Sequence, residues 1–396
     1  MNDNSLLFGK NRGIIIESDN LIALQALERN YTGKIDVMPI DPPYNTAIDY
    51  IEYKDSEFDN GWISFMRPRL ISAYKLLSPA GVMFIHIDEN EICNLTALCK
   101  EIFGEGNVNI LVWMKVNEHF DANRVEKPTI NIRRTHEFVV LCYKNKTETH
   151  FNKIKQSIFE NGKIIEKEQY LETVVDGFGT TASAKDELLE LFGSRETFST
   201  PKPMRLIKEF VRAASKKDSI VLDFFAGSGT AGHAVMDLNK EDNGKRKFIL
   251  ITNNESNICR DVTIPRIQKA IVKNGYADKF KAVFTNDRTP IGMTVDVSID
   301  RPIGTEHPKR KGVIYKINYG GIDGFLAGDD EEQDVYILGV NEPIKKFTGK
   351  VIAVIKRFDD VENKWVATLD DKTYSKTEIE EAVRFQEEYY KTEIIM

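Results

Sequence analysis

Cysteine pairs and histidine clusters are absent from this sequence of 396 residues. Its four cysteines are Cys93, Cys99, Cys142 and Cys259, and no two of them form a CxxC pair. The six histidines are scattered along the chain without the spacing of metal ligands. These absences argue against a disulfide framework and against a Cys/His zinc site, so we expect reduced and mostly buried thiols.

Long apolar runs are absent as well. No uninterrupted apolar stretch approaches the roughly 20 residues that span a bilayer. The first residues also lack the charged and apolar regions of a signal peptide. We therefore expect a cytoplasmic protein with no membrane partner.

An excess of basic charge is the third absence, since the net charge is −7. The acidity is unevenly placed. Residues 290–396 contain 15 Lys and Arg against 21 Asp and Glu, a balance of −6, which leaves −1 (39 against 40) for residues 1–289. The nearly neutral first part can still carry a basic face for a nucleic acid. The last hundred or so residues form a separate acidic unit.

What the chain does contain is an alternation of apolar strands and amphipathic helices. The alternation runs through residues 1–106, breaks over 107–198 and resumes over 199–289. It predicts an α/β fold with a doubly wound, mostly parallel sheet, whose ligands bind at the carboxyl ends of the strands. Residues 290–396 show short strand-like pieces, among them 312–317, and a final helix, which predicts a small β-rich C-terminal domain.

One predicted strand, 35–40, ends abruptly at the sequence DPPY of residues 41–44. Two prolines stiffen this turn, because proline has a fixed φ and lacks an N–H. A carboxylate, a proline carbonyl and an aromatic ring are thereby held together. That set can accept hydrogen bonds from one exocyclic amino group while the ring stacks on a flat base. The four residues alone are equally compatible with a plain turn that closes the strand.

Another predicted strand, 219–223, leads into the glycine-rich turn 224–230 (FFAGSGT) and then a helix. Its glycines let the backbone approach a ligand at a helix N-terminus. Glu255, at the end of the next predicted strand, can accept hydrogen bonds from both hydroxyls of a ribose. The spacing departs from GxGxxG, so it favours the nucleoside of S-adenosylmethionine over a dinucleotide. A purely structural glycine turn is the alternative.

These two motifs, in this order, resemble the β-class amino-DNA methyltransferases, in which the catalytic motif precedes the cofactor motif. Over about residues 12–275 the chain also resembles the modification (Mod) subunits of type III restriction systems, at 18–21 (SDNL), 41–46 (DPPYNT), 62–70 (WISFMRPRL), 87–91 (IDENE), 101–104 (EIFG), 200–203 (TPKP) and 246–250 (RKFIL). The resemblance implies a methyltransferase domain with its catalytic half at 1–106, its cofactor half at 199–289 and a target-recognition insertion at 107–198.

The resemblance also implies site residues. The catalytic set is Asp41, Pro42, Pro43 and Tyr44, in which Asp41 and the Pro42 carbonyl bind the target amino group and Tyr44 stacks on the flipped base. The set that binds S-adenosylmethionine is Asp19, Asn45, Thr46, Thr200, Lys202, Pro203, Asp223, Phe224, Phe225, Ala226, Gly227, Ser228, Gly229, Thr230 and Glu255. An aspartate at the start of DPPY is typical of adenine-N6 enzymes, whereas cytosine-N4 enzymes more often carry serine.

The implied function is site-specific adenine-N6 methylation of double-stranded DNA, in a restriction-modification or a solitary modification system. Cytosine-N4 methylation on the same scaffold is one alternative, and a DNA-binding partner whose methyl transfer has lapsed is the other. A homodimer and a restriction subunit are expected as further partners. The insertion carries basic residues for phosphate contacts or for a merely solvated face: Arg124, Lys127, Arg133, Arg134, Lys144, Lys146, Lys153 and Lys155.

Residues 290–396 resemble a different family, the small soluble inorganic pyrophosphatases. The resemblance lies at 301–304 (RPIG), 307–309 (HPK), 318–320 (NYG), 328–334 (GDDEEQD), 357–360 (RFDD) and 389–391 (YYK). It implies a magnesium site whose ligands would be Asp329, Glu331, Asp334, Asp359 and Asp360. Hydrolysis of pyrophosphate and a role in assembly or regulation are both open for this domain.

Overall fold

The computed structural model of the protein describes residues 8–9, 11–46, 61–116, 132, 134–284, 290–308, 310–327, 329, 331–360, 362–369 and 372–396. Two compact units make up the chain. The first, Ser18–Tyr276, is the α/β unit, and the second, which combines Met1–Glu17 with Ala277–Met396, is the barrel unit. The finer predicted boundaries at residues 106, 198 and 289 stay predictions.

Strands and helices alternate through much of the chain. The strands are β1 (Gly13–Glu17), β2 (Ile35–Ile40), β3 (Leu77–Ile87), β4 (Val108–Met114), β5 (His136–Tyr143), β6 (Ile154–Glu160), β7 (Lys163–Gln169), β8 (Val174–Val175), β9 (Ile220–Asp223), β10 (Lys247–Thr252), β11 (Phe280–Val283), β12 (Thr294–Arg301), β13 (Asn318–Leu326), β14 (Glu332–Ile337), β15 (Lys346–Arg357), β16 (Lys364–Thr368) and β17 (Thr392–Ile395). The α-helices are α1 (Asn20–Tyr31), α2 (Trp62–Leu76), α3 (Ile92–Phe103), α4 (Thr181–Phe192), α5 (Met204–Ala214), α6 (Thr230–Asp242), α7 (Ile264–Asn274) and α8 (Lys376–Glu387).

The α/β unit is organised around a sheet with the strand order β10-β9-β2-β3-β5-β4-β8. Strands β10, β9, β2 and β3 are parallel to one another, and β5 pairs antiparallel with both β3 and β4. Helix α1 packs against α2, and α2 packs against α3. In the same way, α5 packs against α6, and α6 against α7. The predicted doubly wound, mostly parallel α/β fold is confirmed.

Strand β2, an inner strand of this sheet, places the DPPY turn at its carboxyl end. Its residues are buried at Ile35 and from Val37 to Ile40, a continuous run that is typical of a parallel strand covered on both faces. The pairing with β3 ends at Ile40 opposite Ile85. Because the following two prolines cannot donate to a ladder, the strand stops there and Asp41 lies at its carboxyl end.

Asp19 starts helix α1 as its N-cap. Its Oδ1 accepts hydrogen bonds from the backbone N–H groups of Leu21 (2.9 Å) and Ile22 (3.2 Å). Such a cap satisfies backbone donors that the first turn of a helix leaves without an intrahelical partner. The carboxylate of Asp19 is thereby fixed just beyond β1 in the sequence.

The barrel unit contains five strands whose pairings close into a ring. β12 pairs with β13, β13 with β14, β14 with β16, β16 with β15, and β15 with β12. Strand β17 extends the ring at β15, and β11 joins β13 to β1. The core includes Tyr315, Tyr319 and Tyr336, against which Ile379 and Val383 of α8 pack. This is the small β-rich part that the sequence predicts.

The predicted strand at 312–317 is wrong. An isolated bridge between Glu306 and Ile314 forms there, and the strand is β13, a few residues later. Its glycines lower the local strand propensity, yet the barrel needs them. A Cβ on Gly320 would lie 2.1 Å from the carbonyl oxygen of Ser298 on β12, so only glycine allows the two strands to approach so closely.

The four cysteines are free, and Cys99, Cys142 and Cys259 are buried, as expected. Cys93 is exposed. Among the helices of the described residues, none is long and apolar enough to cross a membrane.

Candidate active site

A cavity of about 420 Å³ lies at the carboxyl ends of β2, β9 and β10. This is where a doubly wound sheet binds its ligands, and the volume is in the range of small-molecule sites. Residues from several predicted motifs line it together: Asp19, Asp41, Pro43, Thr200, Lys202, Asp223, Phe224, Phe225, Ala226, Gly227, Ser228, Thr230 and Glu255.

The other predicted site residues lie next to this lining rather than in it: Pro42, Tyr44, Asn45, Thr46, Pro203 and Gly229. Pro203 and Gly229 are the N-caps of α5 and α6. Asn45 has a φ of 58°, and its side-chain amide donates to Glu91 at 2.7 Å. Pro203 and Gly229 directly follow the lining residues Lys202 and Ser228.

The glycine turn between β9 and α6 has two residues in the left-handed region, Gly227 with φ of 46° and Gly229 with φ of 79°. A Cβ on Gly227 would meet the Phe198 ring at 3.2 Å. The Ala226 N–H donates to the Ile251 carbonyl at 3.1 Å, which ties the turn to β10. The backbone of the turn is therefore held in a conformation that would be strained for most residues other than glycine.

A buried arginine on α7 supports the same turn. Arg266 donates to the hydroxyls of Ser228 (2.9 Å) and Thr230 (2.8 Å), and it pairs with Glu187 of α4 at 3.0 Å. Glu187 also accepts from the Met204 N–H at 3.0 Å, at the start of α5. One ion pair thus links the insertion, the glycine turn and the residues after the TPKP motif.

A second arginine supports Asp19 and the neighbouring wall of the cavity. Arg69 donates to Oδ2 of Asp19 (3.1 Å) and to Oδ1 of Asn20 (2.5 Å), and its guanidinium lies 3.7 Å from the centroid of the Phe65 ring. Phe65 is in turn 6.1 Å from the ring of Phe225 on the glycine turn. Aromatic and charged groups therefore alternate along this wall.

Glu255 lies just past β10, in the 3-10 turn Glu255–Asn257. Its side chain is partly exposed and lines the cavity, and the Asn253 amide is 3.4 Å from its carboxylate. This is the strand end at which the sequence predicts a carboxylate for ribose hydroxyls.

The DPPY turn is fixed from the side of α2. The indole Nε1 of Trp62 donates to the carbonyl oxygen of Pro43 at 2.7 Å. That carbonyl is therefore engaged within the protein. The predicted acceptor is the carbonyl of the preceding residue, Pro42.

The two oxygens of Asp41 already have donors. Oδ1 accepts from the Tyr44 hydroxyl at 2.8 Å, and Oδ2 lies 2.9 Å from the Lys202 amine. The same hydroxyl oxygen lies 3.1 Å from Glu137, and the same amine lies 3.4 Å from that carboxylate. Lys115 contacts the other oxygen of Glu137 at 3.0 Å. Two carboxylates, two amines and a phenol thus form one cluster.

Burial and mutual charge set the ionisation of this cluster. Burial raises the pKa of the Asp41 carboxyl, against the opposing effect of Lys202 and with a further rise from Glu137. Burial would also raise the pKa of Glu137, but Lys202 and Lys115 outweigh it and hold that pKa at about 2. For Lys202 burial lowers the pKa, yet the two carboxylates outweigh it and raise the pKa overall. Glu137 and Lys202 are therefore charged at neutral pH.

Glu137 and Lys115 are missing from the predicted site. The sequence does carry a signal for Glu137, because it is a lone carboxylate next to the apolar run 138–142, and buried carboxylates are almost always paired. Arg69 and Arg266 are also unpredicted. Their partners Asp19 and Glu187 are distant in the sequence, so spacing gives no indication of the pairing.

The basic residues of the insertion that the structure describes mostly contact protein groups. Arg134 pairs with Glu89, and Lys155 pairs with Glu241. Lys144 donates to the Tyr74 carbonyl at 2.8 Å, Lys146 donates to Asn109 at 3.1 Å, and the amine of Lys153 lies 6.0 Å from the Tyr170 ring. Arg124, Lys127 and Arg133 lie outside the described residues.

Four of the five predicted magnesium ligands of the barrel unit contact other protein groups through their carboxylates. Oδ2 of Asp334 contacts the Lys364 amine at 2.5 Å, and Asp360 pairs with Arg357 at 2.9 Å. Asp359 accepts from the Lys391 N–H at 3.1 Å, and Asp329 accepts from the Glu331 N–H at 3.1 Å. In the part of the unit that is described, which omits residues 328, 330 and 361, no group of three or more possible ligands forms. The magnesium site stays a prediction.

Comparison with known proteins relates the chain to DNA-modifying enzymes. It is 30% identical over 350 residues to the Mod subunit of the type III restriction-modification enzyme StyLTI of Salmonella typhimurium, covering 63% of this chain and 54% of that protein. It is 25% identical over 410 residues to the EcoPI Mod subunit of Escherichia phage P1, covering 69% and 60%. The chain thus spans less than two thirds of the length of either relative.

A solved inorganic pyrophosphatase from Ehrlichia chaffeensis also aligns, at 18% identity and a TM-score of 0.22, covering 25% of this chain and 83% of that one. An alignment at this TM-score carries no inference about function. The family model of the N6/N4 DNA methylases, in contrast, matches residues 35–263, more than half of the chain. The match includes both the DPPY turn and the glycine turn, and the chain therefore belongs to the N6/N4 DNA methylase family.

Proposed function

We propose that this chain is a site-specific DNA adenine-N6 methyltransferase that uses S-adenosylmethionine. The observation that carries the proposal is the shared cavity, which Asp41 and the glycine turn 224–230 line together. A methyl donor at the glycine turn and an amino group at Asp41 would meet in this cavity. Membership of the DNA methylase family supports the same assignment.

The lining residues fit S-adenosylmethionine by their chemistry. Phe65 and Phe225 offer apolar surface for a purine ring, and the carboxylate of Glu255 can accept hydrogen bonds from ribose hydroxyls. The left-handed backbone at Gly227 lets main-chain atoms approach the ligand. When bound, the cofactor supplies a methyl group on a sulfonium that needs no further activation. Calorimetric titration of the protein with S-adenosylmethionine tests the assignment directly.

In the proposed reaction, Asp41 and the Pro42 carbonyl accept hydrogen bonds from the target amino group and orient its lone pair. Most of the rate acceleration would come from this positioning. Tyr44 stacks on the base that has been flipped out of the duplex. The hydrogen bonds of its hydroxyl to Asp41 and Glu137 fix the ring. Tyr44 and Asp41 would then act on the same base from adjacent positions of one stiff turn.

Adenine is the proposed target because the turn begins with aspartate, as in the adenine-N6 enzymes that it resembles. Both named relatives are Mod subunits of restriction-modification enzymes, which supports a role in modification. Cytosine-N4 methylation is the alternative on the same scaffold. Incorporation of labelled methyl groups from S-adenosylmethionine into unmethylated double-stranded DNA tests for either activity. A protein that binds DNA without incorporation would be the lapsed partner.

The proposed partners are double-stranded DNA, a second copy of the chain and a restriction subunit. DNA contacts would come from residues 107–198, of which 117–131 and 133 lie outside the described residues. The restriction subunit is proposed because the relatives are named as subunits of such enzymes. Light scattering of the purified chain, with and without DNA, tests the homodimer.

For the barrel unit we infer a role in assembly or regulation. Its resemblance to inorganic pyrophosphatases stays a prediction. Lys364 contacts both Asp334 and Glu362, so Asp334, one of the carboxylates predicted to bind magnesium, is partly neutralised by a lysine. Phosphate release from pyrophosphate, with magnesium present, tests whether any hydrolysis occurs.

A further inference from the structure

Glu137 duplicates the contacts of Asp41. The Tyr44 hydroxyl, which has a single proton to donate, lies within hydrogen-bond distance of both carboxylates, at 2.8 Å from Asp41 and 3.1 Å from Glu137. The Lys202 amine also lies near both, at 2.9 Å from Asp41 and 3.4 Å from Glu137. Each donor therefore has two acceptors, of which the proposed reaction needs only Asp41.

These contacts conflict with base binding unless one of them changes. A target amino group must donate to Asp41, while Lys202 and Tyr44 already donate to its two oxygens. A lysine on a carboxylate also reduces its strength as an acceptor for a neutral amine. Because the Lys202 amine is already within 3.4 Å of Glu137, a small movement of the side chain would transfer it.

The surroundings require the charge to stay balanced. Glu137 and Lys202 are each 9% exposed, so water cannot solvate a lone charge at either position. With Lys115 on the far side of Glu137, the two carboxylates face two amines. A lysine that leaves Asp41 therefore needs another carboxylate close by.

We propose that Glu137 is a positioning residue that takes over Lys202 when the target amino group reaches Asp41. The proposal rests on the proposed methyltransferase function. The step is an exchange of ion-pair partners, in which no covalent bond forms or breaks and no proton is transferred. Glu137 does not touch the base; it acts through Lys202 and Tyr44.

A double-mutant cycle in the full chain tests this exchange. The four proteins are wild type, Glu137→Gln, Lys202→Met and the double variant. Methyl transfer from labelled S-adenosylmethionine to methylation-free genomic DNA gives kcat and KM for DNA, and calorimetry gives the dissociation constant of the cofactor. Glu209→Gln is the matched control, because Glu209 is a 2% exposed carboxylate that pairs with Arg212 at 2.8 Å, outside the cluster.

Glu137→Gln should lower kcat/KM for DNA about tenfold or more, because Lys202 then stays on Asp41. Lys202→Met should also lower it, because two buried carboxylates then face a single amine, that of Lys115. The double variant restores the charge balance of the cluster, because one carboxylate (Asp41) and one amine (Lys115) remain, so its kcat/KM should exceed that of both single variants. Cofactor affinity should change less than about twofold in Glu137→Gln, since Glu137 does not line the cavity.

A double variant no more active than the more active single variant would overturn the exchange. So would a Glu137→Gln protein with wild-type kcat/KM. Glu209→Gln should keep its activity, and thermal unfolding of all five proteins separates loss of activity from loss of folding. A wild type that transfers no methyl group would overturn the proposed function and this inference together, whereas an active wild type with an additive cycle would overturn this inference alone.

Discussion

Glu187 lies 3.0 Å from Arg266, whose guanidinium is fully buried and also donates to Ser228 and Thr230 of the glycine turn. This contact connects a helix of the predicted recognition insertion to the predicted cofactor turn. Removing one partner of a buried ion pair leaves the other charge uncompensated. The pair should therefore matter both for the stability of the α/β unit and for cofactor affinity.

Replacing Arg266 with methionine should lower the free energy of unfolding by about 1–3 kcal/mol, since Glu187 is 23% exposed and can take up a proton. The affinity for S-adenosylmethionine should fall about tenfold, since two hydroxyls of the turn lose their donor. Chemical denaturation and calorimetry measure the two effects. Arg195→Ala is the control, because Arg195 makes an exposed ion pair with Asp186, which lies on α4 next to Glu187. This pair should contribute less than about 1 kcal/mol. Equal stability losses in the two variants would contradict the role given to Arg266.

Asp223 should make stability depend on pH. Burial raises its pKa to about 8, although the Phe225 N–H donates to its carboxylate and opposes the rise. The pKa in the unfolded chain is about 3.9, so the folded state binds the proton more tightly. The protonated Asp223 carboxyl stabilises the folded state fully at pH values below the pKa of the unfolded chain. This stabilisation is lost as the pH rises from there towards 8, by at most about 1.4 kcal/mol per pH unit.

Asp223→Asn removes this titration while it keeps an acceptor for the Phe225 N–H. The stability of the variant relative to wild type should therefore increase from pH 5 to pH 8. Denaturation of the cofactor-free proteins at several pH values measures the difference. A difference that stays constant, or that decreases with pH, would show that Asp223 does not titrate in this range.

Two substitutions of Tyr44 distinguish the contribution of ring stacking from that of the hydroxyl hydrogen bonds. Tyr44→Phe keeps the ring and loses the hydroxyl contacts with Asp41 and Glu137, whereas Tyr44→Ala loses both. Stacking of a base on an aromatic ring contributes about 1–3 kcal/mol, so Tyr44→Ala should be about 5- to 160-fold less active than Tyr44→Phe. Methyl incorporation into DNA under identical conditions gives the ratio. Equal activities would mean that the ring does not stack on the target base.

The barrel unit should not depend on Asp334 for hydrolysis. Asp334→Ala removes the contact at 2.5 Å with Lys364, which still contacts Glu362. We expect phosphate release from pyrophosphate with magnesium to be the same in this variant as in wild type. If the wild type hydrolyses pyrophosphate and the variant does not, that result would instead support the predicted magnesium site.

The sequence predicts the fold and the location of the site better than the contacts within the site. The apolar run of β2 and the prolines after it predict where Asp41 lies, because local chemistry decides where that strand ends. Glu137 is 93 residues from Tyr44, and Arg266 is 79 from Glu187, so only the tertiary structure brings these partners together. The glycines of β13 likewise give no sequence signal for a strand. Gly320 is required only because β12 approaches closely in the tertiary structure.

Asp41 is the residue on which the proposed chemistry depends. Asp41→Ala should reduce methyl transfer by about 10²–10³-fold or more, because the amino group loses its charged acceptor. Binding of S-adenosylmethionine should remain largely intact, because the proposed cofactor contacts lie on the glycine turn and at Glu255. Calorimetry and methyl incorporation test the two expectations on one preparation. A variant that keeps its activity would remove Asp41 from the catalytic role.

The identity of the methylated base tests the central claim most directly. DNA incubated with the protein and labelled S-adenosylmethionine is digested to nucleosides, and the labelled species is identified by chromatography and mass spectrometry. The proposed function predicts label in N6-methyladenine, and its loss in Asp41→Ala. Label in N4-methylcytosine, or no label in any nucleoside, would contradict it.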